Sequence, residues 1–449
     1  MNFPRTVPVF ALFVAAMFAP PPAVLAQRNV PPAPVIFVHG NGDHAGLWDT
    51  TIWRFESNGY DPSRLFAIDL PNPVAQGSVN KPEQNRSSPE DQTVALAAYV
   101  TRVLLRTGAR KVALVGSSRG GMTIRNYVRF GGGAAHVSHV ITGGTPNHGV
   151  FALAGIQPDN EFNGAGSYLT SLNAGEEVVP GVKYLTLRSD HNDKYAQAEM
   201  RGGAAAPMRT NVDATGPALR GAKDVVLPGT DHRETAFAPA SFRAQFEFIT
   251  GRSPARVGIV TDSVAVLDGM ISANVSGAPT NLPLGSATVT VYEVDRASGE
   301  RVGAPVHQRA TSADGHWGPF RAKPTSTYEF EIVPRDSAVI LDVFRSAFPR
   351  GSRYVNFRLP AAVPTSGDSA SVLIIRPRGY LGAGRDTVQF DAVAATGIPA
   401  GVPTTDRAIQ WFRGAQSQRV VTRVNGETIV VRTRPGDARR LVLAEFSSE

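Results

Sequence analysis

The sequence predicts an α/β domain, with a mostly parallel sheet flanked by helices, followed by an all-β region. Three observations lead to this fold class. Over residues 35–251, short apolar runs alternate with helical patterns, as in a parallel sheet whose connecting helices cover both faces. After residues 251–254 the helical periodicity disappears, and alternating strand patterns with turn residues take over. The chain also has 44 Gly and 34 Pro in 449 residues, which favours a structure with many turns.

The elements of the first region follow from their apolar patterns. Runs that are largely apolar over four to six residues are typical of strands buried on both faces. They are residues 35–38, 65–69, 111–115, 140–143, 182–187 and 224–227. Residues 93–106 place apolar side chains three and four positions apart, which predicts an amphipathic helix, and residues 239–250 predict a second one with Pro239 in its first turn. We therefore expect a domain over residues 34–252.

The second region has the alternation of half-buried strands. Residues 286–294 and 327–333 alternate between apolar and polar side chains, and residues 313–316 form a turn signal between them. A stretch rich in Pro, Ser and Gly, residues 360–368, precedes a second β-rich block whose clearest strands are 372–375 and 428–433. We expect a β-sandwich at residues 255–360 and a second block at residues 368–449 that could pack with the first.

The N-terminus has the pattern of a cleavable signal peptide. Arg5 provides a positive start, residues 7–19 form an apolar run, and residues 24–26 offer small residues at a cleavage site before Gln27. The apolar run is too short to span a bilayer, which needs about 20 residues. We predict that residues 1–26 are a signal peptide and that the mature protein is secreted or periplasmic.

Composition excludes several classes of site. The chain has no cysteine, so disulfides, zinc–thiolate sites and cysteine nucleophiles are excluded. The formal charge is +7, but arginines are scattered among a similar number of acids in the C-terminal half, which indicates solvated faces instead of a nucleic-acid-binding stripe. We expect no nucleic-acid partner.

The most informative motif is the segment at residues 116–120, Gly-Ser-Ser-Arg-Gly. It follows a predicted buried strand and precedes a predicted helix, and it matches the G-x-S-x-G pattern of a nucleophile elbow. In such a turn the serine has a strained backbone, and small residues two positions before and after it prevent clashes. Ser118 has glycine at both positions, whereas Ser117 does not. The pattern predicts Ser118 as a nucleophile.

A second motif, His39-Gly40-Asn41-Gly42, follows the first predicted strand. In this arrangement the loop presents a backbone N–H toward a developing oxyanion, and the residue after the nucleophile presents another. We predict that the two donors are the backbone N–H groups of Asn41 and Arg119.

These motifs, together with Asp69-Leu70-Pro71 and residues 145–149 (Thr-Pro-Asn-His-Gly), resemble the bacterial and archaeal α/β-hydrolase lipases. The resemblance covers roughly residues 34–251 and implies the α/β-hydrolase fold. It also implies the chain order nucleophile, acid, histidine. His232, which follows the last predicted strand of the domain, is then the base, and no metal or organic cofactor is implied.

The resemblance places the acid in the polar loop after the strand at residues 182–187. Asp193 fits best if this loop is slightly longer than usual, and Asp190 is the alternative. The acid would hold His232 in the tautomer that accepts a proton from Ser118.

Two segments bear on the substrate. Residues 150–180 mix apolar residues with Gly and Asn and are longer than the connection needs, so they form either a mobile lid or a plain crossover. The C-terminal region resembles the accessory β domains of some secreted lipases, and its first part is also similar to transthyretin-like or carboxypeptidase-regulatory-like sandwiches. It shows no site of its own in the sequence.

We therefore predict a secreted carboxylic-ester hydrolase, most simply a lipase, that acts on a water-insoluble ester and contacts the lipid surface peripherally. The enzymatic alternative is an extracellular polyester depolymerase of the polyhydroxyalkanoate type, which uses the same triad. An alternative of another class is a non-catalytic lipid- or surface-binding protein.

Overall fold

A computed structural model describes residues 1–4, 32–200, 207–335, 339–363 and 369–447. Most of the predicted signal peptide, residues 5–26, lies outside the described residues, as do residues 364–368 of the stretch between the two predicted β blocks. We refer to residues 33–252 as the N-terminal region and to residues 253–447 as the C-terminal region.

The N-terminal region is built around a parallel sheet. Its strands are β1 (Val35–Val38), β2 (Leu65–Ile68), β3 (Val112–Ser117), β4 (Val137–Gly143), β5 (Lys183–Ser189), β6 (Glu199–Met200), β7 (Met208–Arg209) and β8 (Lys223–Leu227). Six of these described strands pair in parallel in the order β2-β1-β3-β4-β5-β8, and β6 and β7 form a separate antiparallel pair. β4 begins three residues earlier than predicted, because the half-buried Ser138 and His139 interrupt its apolar pattern.

Helices cover both faces of this sheet. The α-helices are α1 (Asp49–Ser57), α2 (Pro89–Thr107), α3 (Arg119–Arg129), α4 (Ser167–Leu172), α5 (Glu234–Phe237) and α6 (Pro239–Thr250), and short 3₁₀ turns occur at Ala45–Trp48, Pro62–Arg64 and Gly133–Ala135. Successive residues of β1 point to opposite faces, so Phe37 packs with α1 and α6 while Ile36 packs with α2 and α3. α2 begins with a capping box formed by Ser88 and Asp91. The predicted α/β-hydrolase fold class is confirmed.

The C-terminal region is all β in its described part. Its strands are β9 (Ala265–Leu267), β10 (Ile271–Val275), β11 (Ala278–Pro279), β12 (Ala287–Val294), β13 (His307–Ala310), β14 (Phe320–Ala322), β15 (Thr327–Pro334), β16 (Ile340–Arg345), β17 (Phe357–Leu359), β18 (Ala370–Ile375), β19 (Val388–Phe390), β20 (Val393–Ala394), β21 (Arg407–Phe412), β22 (Arg419–Val424), β23 (Glu427–Arg432) and β24 (Arg440–Glu445). Smaller described sheets have the orders β11-β10-β17, β14-β9 and β20-β19-β22-β23.

The largest described sheet of this region combines strands from both predicted blocks. Its order is β13-β12-β15-β16-β24-β18-β21. β24, near the end of the chain, pairs in parallel with β16 on one side and with β18 on the other. One face packs into an apolar cluster around Trp317 and Phe330, and the other into a cluster around Phe344 and Phe446. Residues 255–360 and 368–449 therefore share one sheet.

The two regions are in direct contact. The indole Nε1 of Trp53 on α1 donates to the carbonyl oxygen of Gly351 at 2.8 Å, and Ser352 Oγ donates to Asp49 Oδ1 at 2.6 Å. Residues 33–449 form one compact unit. Among the described helices, none has the length and apolar character needed to cross a bilayer.

Candidate active site

Ser118 lies at the turn between β3 and α3, in a backbone conformation that residues with a side chain seldom adopt. Its φ is 53° and its ψ is −125°. The turn leaves no room for side chains at the flanking glycines. A Cβ atom on Gly116 would lie 2.6 Å from the backbone nitrogen of Gly121, and one on Gly120 would lie 2.5 Å from the carbonyl oxygen of Val38. This is the local geometry that a nucleophile elbow requires.

The predicted oxyanion loop closely approaches Ser118. A Cβ atom added to Gly40 would lie only 3.1 Å from the Cβ of Ser118. Asn41 lines the same pocket as Ser118, and its side-chain Oδ1 accepts a hydrogen bond from the N–H of Ala75 at 2.8 Å. Arg119 is the first residue of α3, where a backbone N–H has no acceptor within the helix. Both predicted donors therefore belong to the immediate surroundings of Ser118.

The shape of this loop is fixed by His39, which is 1% exposed. Its Nε2 accepts from the N–H of Leu70 at 3.0 Å, so its Nδ1 carries the hydrogen and donates to the carbonyl oxygen of Gly40 at 2.9 Å. Burial lowers the pKa of His39, which favours this neutral form. Asn281 of the C-terminal region also reaches the loop and donates to the carbonyl oxygen of Asp43 at 3.0 Å.

His232 follows β8 and is paired with Asp193, which follows β5. The Nδ1 of His232 lies 2.8 and 2.9 Å from the two carboxylate oxygens of Asp193, and each side chain is 3% exposed. The N–H of Tyr195 donates to Asp193 Oδ1 at 2.8 Å and holds the carboxylate in place. The ring of Tyr195 packs edge-on against the imidazole, with the centroids 4.6 Å apart. With Nδ1 engaged, Nε2 is the nitrogen that can accept a proton.

Asp190, the alternative acid, has different contacts. Its carboxylate accepts from the N–H of His191 at 2.7 Å and from the N–H of Gly229 at 3.1 Å. It also lies 3.1 Å from the side chain of His191, which is largely exposed. These hydrogen bonds lower the pKa of Asp190 even though burial opposes them. Asp190 therefore connects the polar loop after β5 to the turn before His232, while Asp193 contacts the imidazole of His232.

Ser118 and His232 line one pocket of about 220 Å³. Its wall is mixed: Val150, Phe151, Phe162 and Met200 are apolar, whereas Asn41, Asp43, Asn160 and Arg233 are polar. A pocket with an apolar surface and a few polar groups suits a ligand that has one polar centre and an apolar body. Among the described residues, no group of three or more His, Cys, Asp or Glu side chains is arranged to hold a metal ion.

A larger open groove of about 750 Å³ lies elsewhere on the N-terminal region. It is bordered by His148, Glu199, Arg209 and Arg220. None of the described residues that line it is a serine, and His148 is hydrogen-bonded through Nδ1 to the carbonyl oxygen of Gly216 at 2.7 Å. The groove therefore lacks the paired nucleophile and base of the smaller pocket.

The segment over the pocket is anchored by a buried ion pair. The guanidinium of Arg119 binds the carboxylate of Glu161 through two hydrogen bonds, of which Nη2 to Oε2 is 2.8 Å, and both side chains are 2% exposed. The same guanidinium donates to the carbonyl oxygens of Pro73 and Ser87 at 3.1 and 2.7 Å. The predicted oxyanion-hole residue is thus tied to the 150–180 segment. Glu161 is not indicated by the sequence, because no local pattern marks a carboxylate 42 residues from its partner.

The C-terminal region also reaches the pocket. Tyr380 lines it, and the guanidinium carbon of Arg233 lies 5.0 Å from the centre of the Tyr380 ring. Arg233 pairs with Asp43 at 2.9 Å and with Asp406 of the C-terminal region at 3.1 Å. Sequence analysis missed Tyr380 and Arg233. The only signal for Arg233 was its position next to His232, and Tyr380 had none.

Comparisons with known proteins show which families and solved structures this chain is similar to. Residues 32–213 match the family model described as Lipase (class 2), and residues 263–362 match the model described as Lipase C-terminal domain. Similar solved structures include the Bacillus licheniformis lipase BlEst2 in its mature form, with 19% identity, 49% of this chain and 89% of that chain covered, and a TM-score of 0.32. The propeptide form of that lipase has 14% identity, coverage of 90% and 92%, and a TM-score of 0.36. Aspergillus fumigatus lipase B has 15% identity, coverage of 53% and 56%, and a TM-score of 0.35. Because every one of these TM-scores is below 0.5, the family assignment depends on the two family models.

Proposed function

Because this chain belongs to the α/β-hydrolase lipases that have a C-terminal accessory domain, we propose that it is a serine carboxylic-ester hydrolase acting on lipid esters. The observation that carries the proposal is the pairing in one pocket of a strained serine at a helix N-terminus with a histidine bound to a buried aspartate.

In the proposed mechanism Ser118 Oγ attacks the ester carbonyl carbon, and its proton passes to Nε2 of His232. Asp193 accepts the Nδ1 hydrogen of His232, which fixes the tautomer and stabilises the imidazolium that forms. The imidazolium then gives its proton to the departing alcohol. Water repeats the sequence on the acyl-enzyme, so that the acid leaves and Ser118 is regenerated.

The tetrahedral intermediate places a negative charge on the former carbonyl oxygen. The backbone N–H groups of Asn41 and Arg119 are the proposed donors to it. Loss of one such donor typically costs about 3 kcal/mol of transition-state stabilisation. Both backbones are held by contacts of their own side chains: Asn41 Oδ1 binds the Ala75 N–H, and the Arg119 guanidinium binds Glu161.

The lining and the volume of the pocket favour a lipid-like ester as the substrate over a polymer film. Phe151 and Phe162, from the 150–180 segment, line the pocket beside Ser118. A polyester depolymerase must admit a chain segment from a solid surface, whereas this pocket of about 220 Å³ suits one ester group with a modest apolar chain.

The test is a hydrolysis profile of the purified full chain. We expect turnover of p-nitrophenyl esters and of triglyceride emulsion, little release from polyester film, and no turnover of any of these by Ser118→Ala. Loss of a serine nucleophile typically costs about 10⁶-fold in kcat. Film hydrolysis exceeding ester hydrolysis would favour the depolymerase, and a folded protein that binds emulsion without hydrolysing any ester would favour the non-catalytic surface-binding protein.

We also propose that the protein is exported. The support is the basic start, apolar run and small-residue site within residues 1–26. Expression in a bacterial host and N-terminal sequencing of the exported product should give a chain beginning at Gln27. Retention of the uncleaved chain in the cytoplasm would contradict the proposal.

A further inference from the structure

The loop that carries His232 is held by residues of the C-terminal region. Asp231 and Glu234 flank the histidine, and their side chains contact residues 376–385, which follow β18. Asp231 Oδ2 accepts from the backbone N–H of Tyr380 at 2.6 Å and lies 3.0 Å from Nη2 of Arg385. Glu234 Oε1 lies 2.6 Å from Nη2 of Arg376, and Glu234 Oε2 lies 3.0 Å from Nη1 of Arg385.

These groups form one buried cluster of charges. Asp231 and Arg376 are at most 1% exposed as side chains, and Arg385 is 25% exposed. Asp386 completes the cluster, with its Oδ2 at 2.9 Å from Nε of Arg385. Burial and the neighbouring charge of Asp231 raise the pKa of Glu234, and the charges of Arg376 and Arg385 oppose that shift. Breaking a buried pair by removing one partner leaves an uncompensated charge, which is strongly destabilising, so these arginines stabilise the loop in its position.

The same cluster fixes Tyr380 beside the pocket. Nη1 of Arg376 donates to the carbonyl oxygen of Tyr380 at 2.8 Å, and Arg385 donates to the same oxygen. At the ring itself, the ammonium of Lys194 lies 3.9 Å from the ring centre and donates to the carbonyl oxygen of Thr404 at 3.0 Å. Both the backbone and the ring of Tyr380 are therefore held, and the ring forms a fixed wall of the pocket that contains Ser118.

We propose that the C-terminal region is a working part of the hydrolytic site: Arg376 and Arg385 are positioning residues for His232, and Tyr380 determines which substrates fit beside Ser118. The proposal rests on the proposed function. It assigns to the C-terminal region a role in turnover of soluble esters that surface binding alone would not produce, because a surface anchor changes only the local concentration of substrate.

The two roles affect different kinetic constants. His232 acts only after the ester is bound, so a displaced histidine lowers kcat and leaves KM unchanged. Tyr380 contacts the bound substrate, so truncating its ring changes KM and the preferred chain length. A residue that only stabilises the fold would lower the amount of active protein but would leave kcat per titrated active site unchanged.

The first experiment compares Arg385→Ala with Arg301→Ala in the full chain, on a soluble p-nitrophenyl ester with titrated active sites. Arg301 is a matched control, because it is 29% exposed and binds Glu329 and Glu331 at 2.8 and 2.9 Å within the C-terminal region. A small displacement of a catalytic group can cost about 100-fold, so we expect a 10- to 100-fold loss of kcat in Arg385→Ala, with KM unchanged. Arg301→Ala should keep the kcat of the unmodified chain.

Arg385→Lys keeps the positive charge, and it tests the positioning role if Arg385→Ala does not fold. We expect it to recover part of kcat, because an ammonium can bind one of the two carboxylates but lacks the fork that reaches both. The positioning role is overturned if Arg385→Ala and Arg385→Lys both retain full kcat, or if Arg301→Ala loses as much as Arg385→Ala.

The second experiment compares Tyr380→Ala with Tyr292→Ala across p-nitrophenyl esters of rising chain length. Tyr292 is the matched control, since Arg301 lies 3.6 Å from its ring centre, within the C-terminal region. We expect Tyr380→Ala to move the preferred chain length upward and Tyr292→Ala to leave it in place. An unchanged profile in Tyr380→Ala overturns the specificity role. A fluorophosphonate probe tests the proposed function independently of this inference. If the probe does not label Ser118 in the unmodified chain, the proposed function is contradicted. If it labels Ser118 normally but the kinetics of these variants equal those of the unmodified chain, only this inference is contradicted.

Discussion

The two halves of the candidate site, Ser118 and His232, are supported in similar ways by different parts of the chain. Next to Ser118, Arg119 is bound by Glu161, and both residues lie in the N-terminal region. Next to His232, Glu234 is bound by Arg376 and Arg385, which lie in the C-terminal region. In each case a buried arginine–glutamate contact fixes the backbone beside a reacting side chain.

The two contacts differ in the sequence separation of the residues that form them. Arg119 and Glu161 are 42 residues apart, whereas Glu234 and Arg385 are 151 residues apart. The ion pair of Arg119 therefore lies within the N-terminal region, whereas the ion pairs of Glu234 come from the C-terminal region. These contacts are the basis of our proposal that the C-terminal region contributes to the hydrolytic site.

The largest effect is expected from substitution of Asp193, the proposed acid that contacts His232. Asp193→Asn should lower kcat by about 10⁴-fold, because an amide there favours the wrong tautomer of His232. Asp190→Asn alters the hydrogen bonds with Gly229, His191 and Ser189 and leaves the contact between Asp193 and His232 in place, so it should lower kcat far less. Steady-state kinetics on a soluble ester measure both. Equal losses in the two variants would move the acid function away from Asp193 alone.

A smaller effect is expected on the nucleophile side. Glu161→Gln leaves Arg119 buried without a charged partner, which typically costs about 3–5 kcal/mol of stability. Because the backbone N–H of Arg119 is a proposed oxyanion donor, kcat should fall as well. The control is Glu56→Gln, which breaks an ion pair with Arg350 at 2.8 Å away from the pocket. In Glu161→Gln, both the melting temperature and kcat should change. In Glu56→Gln, only the melting temperature should change. If kcat is unchanged in both variants, the backbone of Arg119 does not need the ion pair with Glu161 to keep its position.

The smallest effect is expected at the contact between the regions, at Asp49. Burial raises the pKa of Asp49 to about 6, and its Oδ2 has no hydrogen-bond partner among the described residues. The folded state therefore binds a proton that the unfolded state has lost, so this group's contribution to stability falls as the pH rises from about 4 through 6. The difference of about two pH units corresponds to on the order of 3 kcal/mol as an upper limit.

Asp49→Asn should accordingly raise the melting temperature at pH 8 and change it little at pH 4. The control is Asp61→Asn, since hydrogen bonds to Ser63 lower the pKa of the exposed Asp61 and predict a small effect of opposite sign at pH 8. Thermal unfolding at the two pH values provides the measurement. Destabilisation by Asp49→Asn at pH 8 would show that the ionised carboxylate is favourable there.

Local patterns in the sequence were sufficient for the fold class, and they indicated Ser118 and His232, which the structure brings to one pocket. Ser118 is marked by its glycines, and β1, β3 and β5 by apolar runs that the sheet buries on both faces. The start of α2 at Pro89 was missed, although Ser88, Pro89 and Asp91 form a recognisable capping signal.

Local patterns could not predict the contacts that depend on the path of a loop or on pairing between distant strands. Asp190 and Asp193 are three residues apart in one polar loop, and only the path of that loop determines which carboxylate reaches His232. Tyr380 enters the pocket because β18 is held in the sheet by β24, from the end of the chain. No spacing rule predicts a parallel pairing of this kind from the sequence.

The proposed nucleophile is tested most directly by identifying the residue that a fluorophosphonate probe modifies in the full chain, by peptide mapping with mass spectrometry. We expect a single adduct on Ser118, still present in Ser117→Ala and absent in a folded Ser118→Ala. An adduct on Ser117 or another serine, or no adduct in a folded protein, would contradict the proposal.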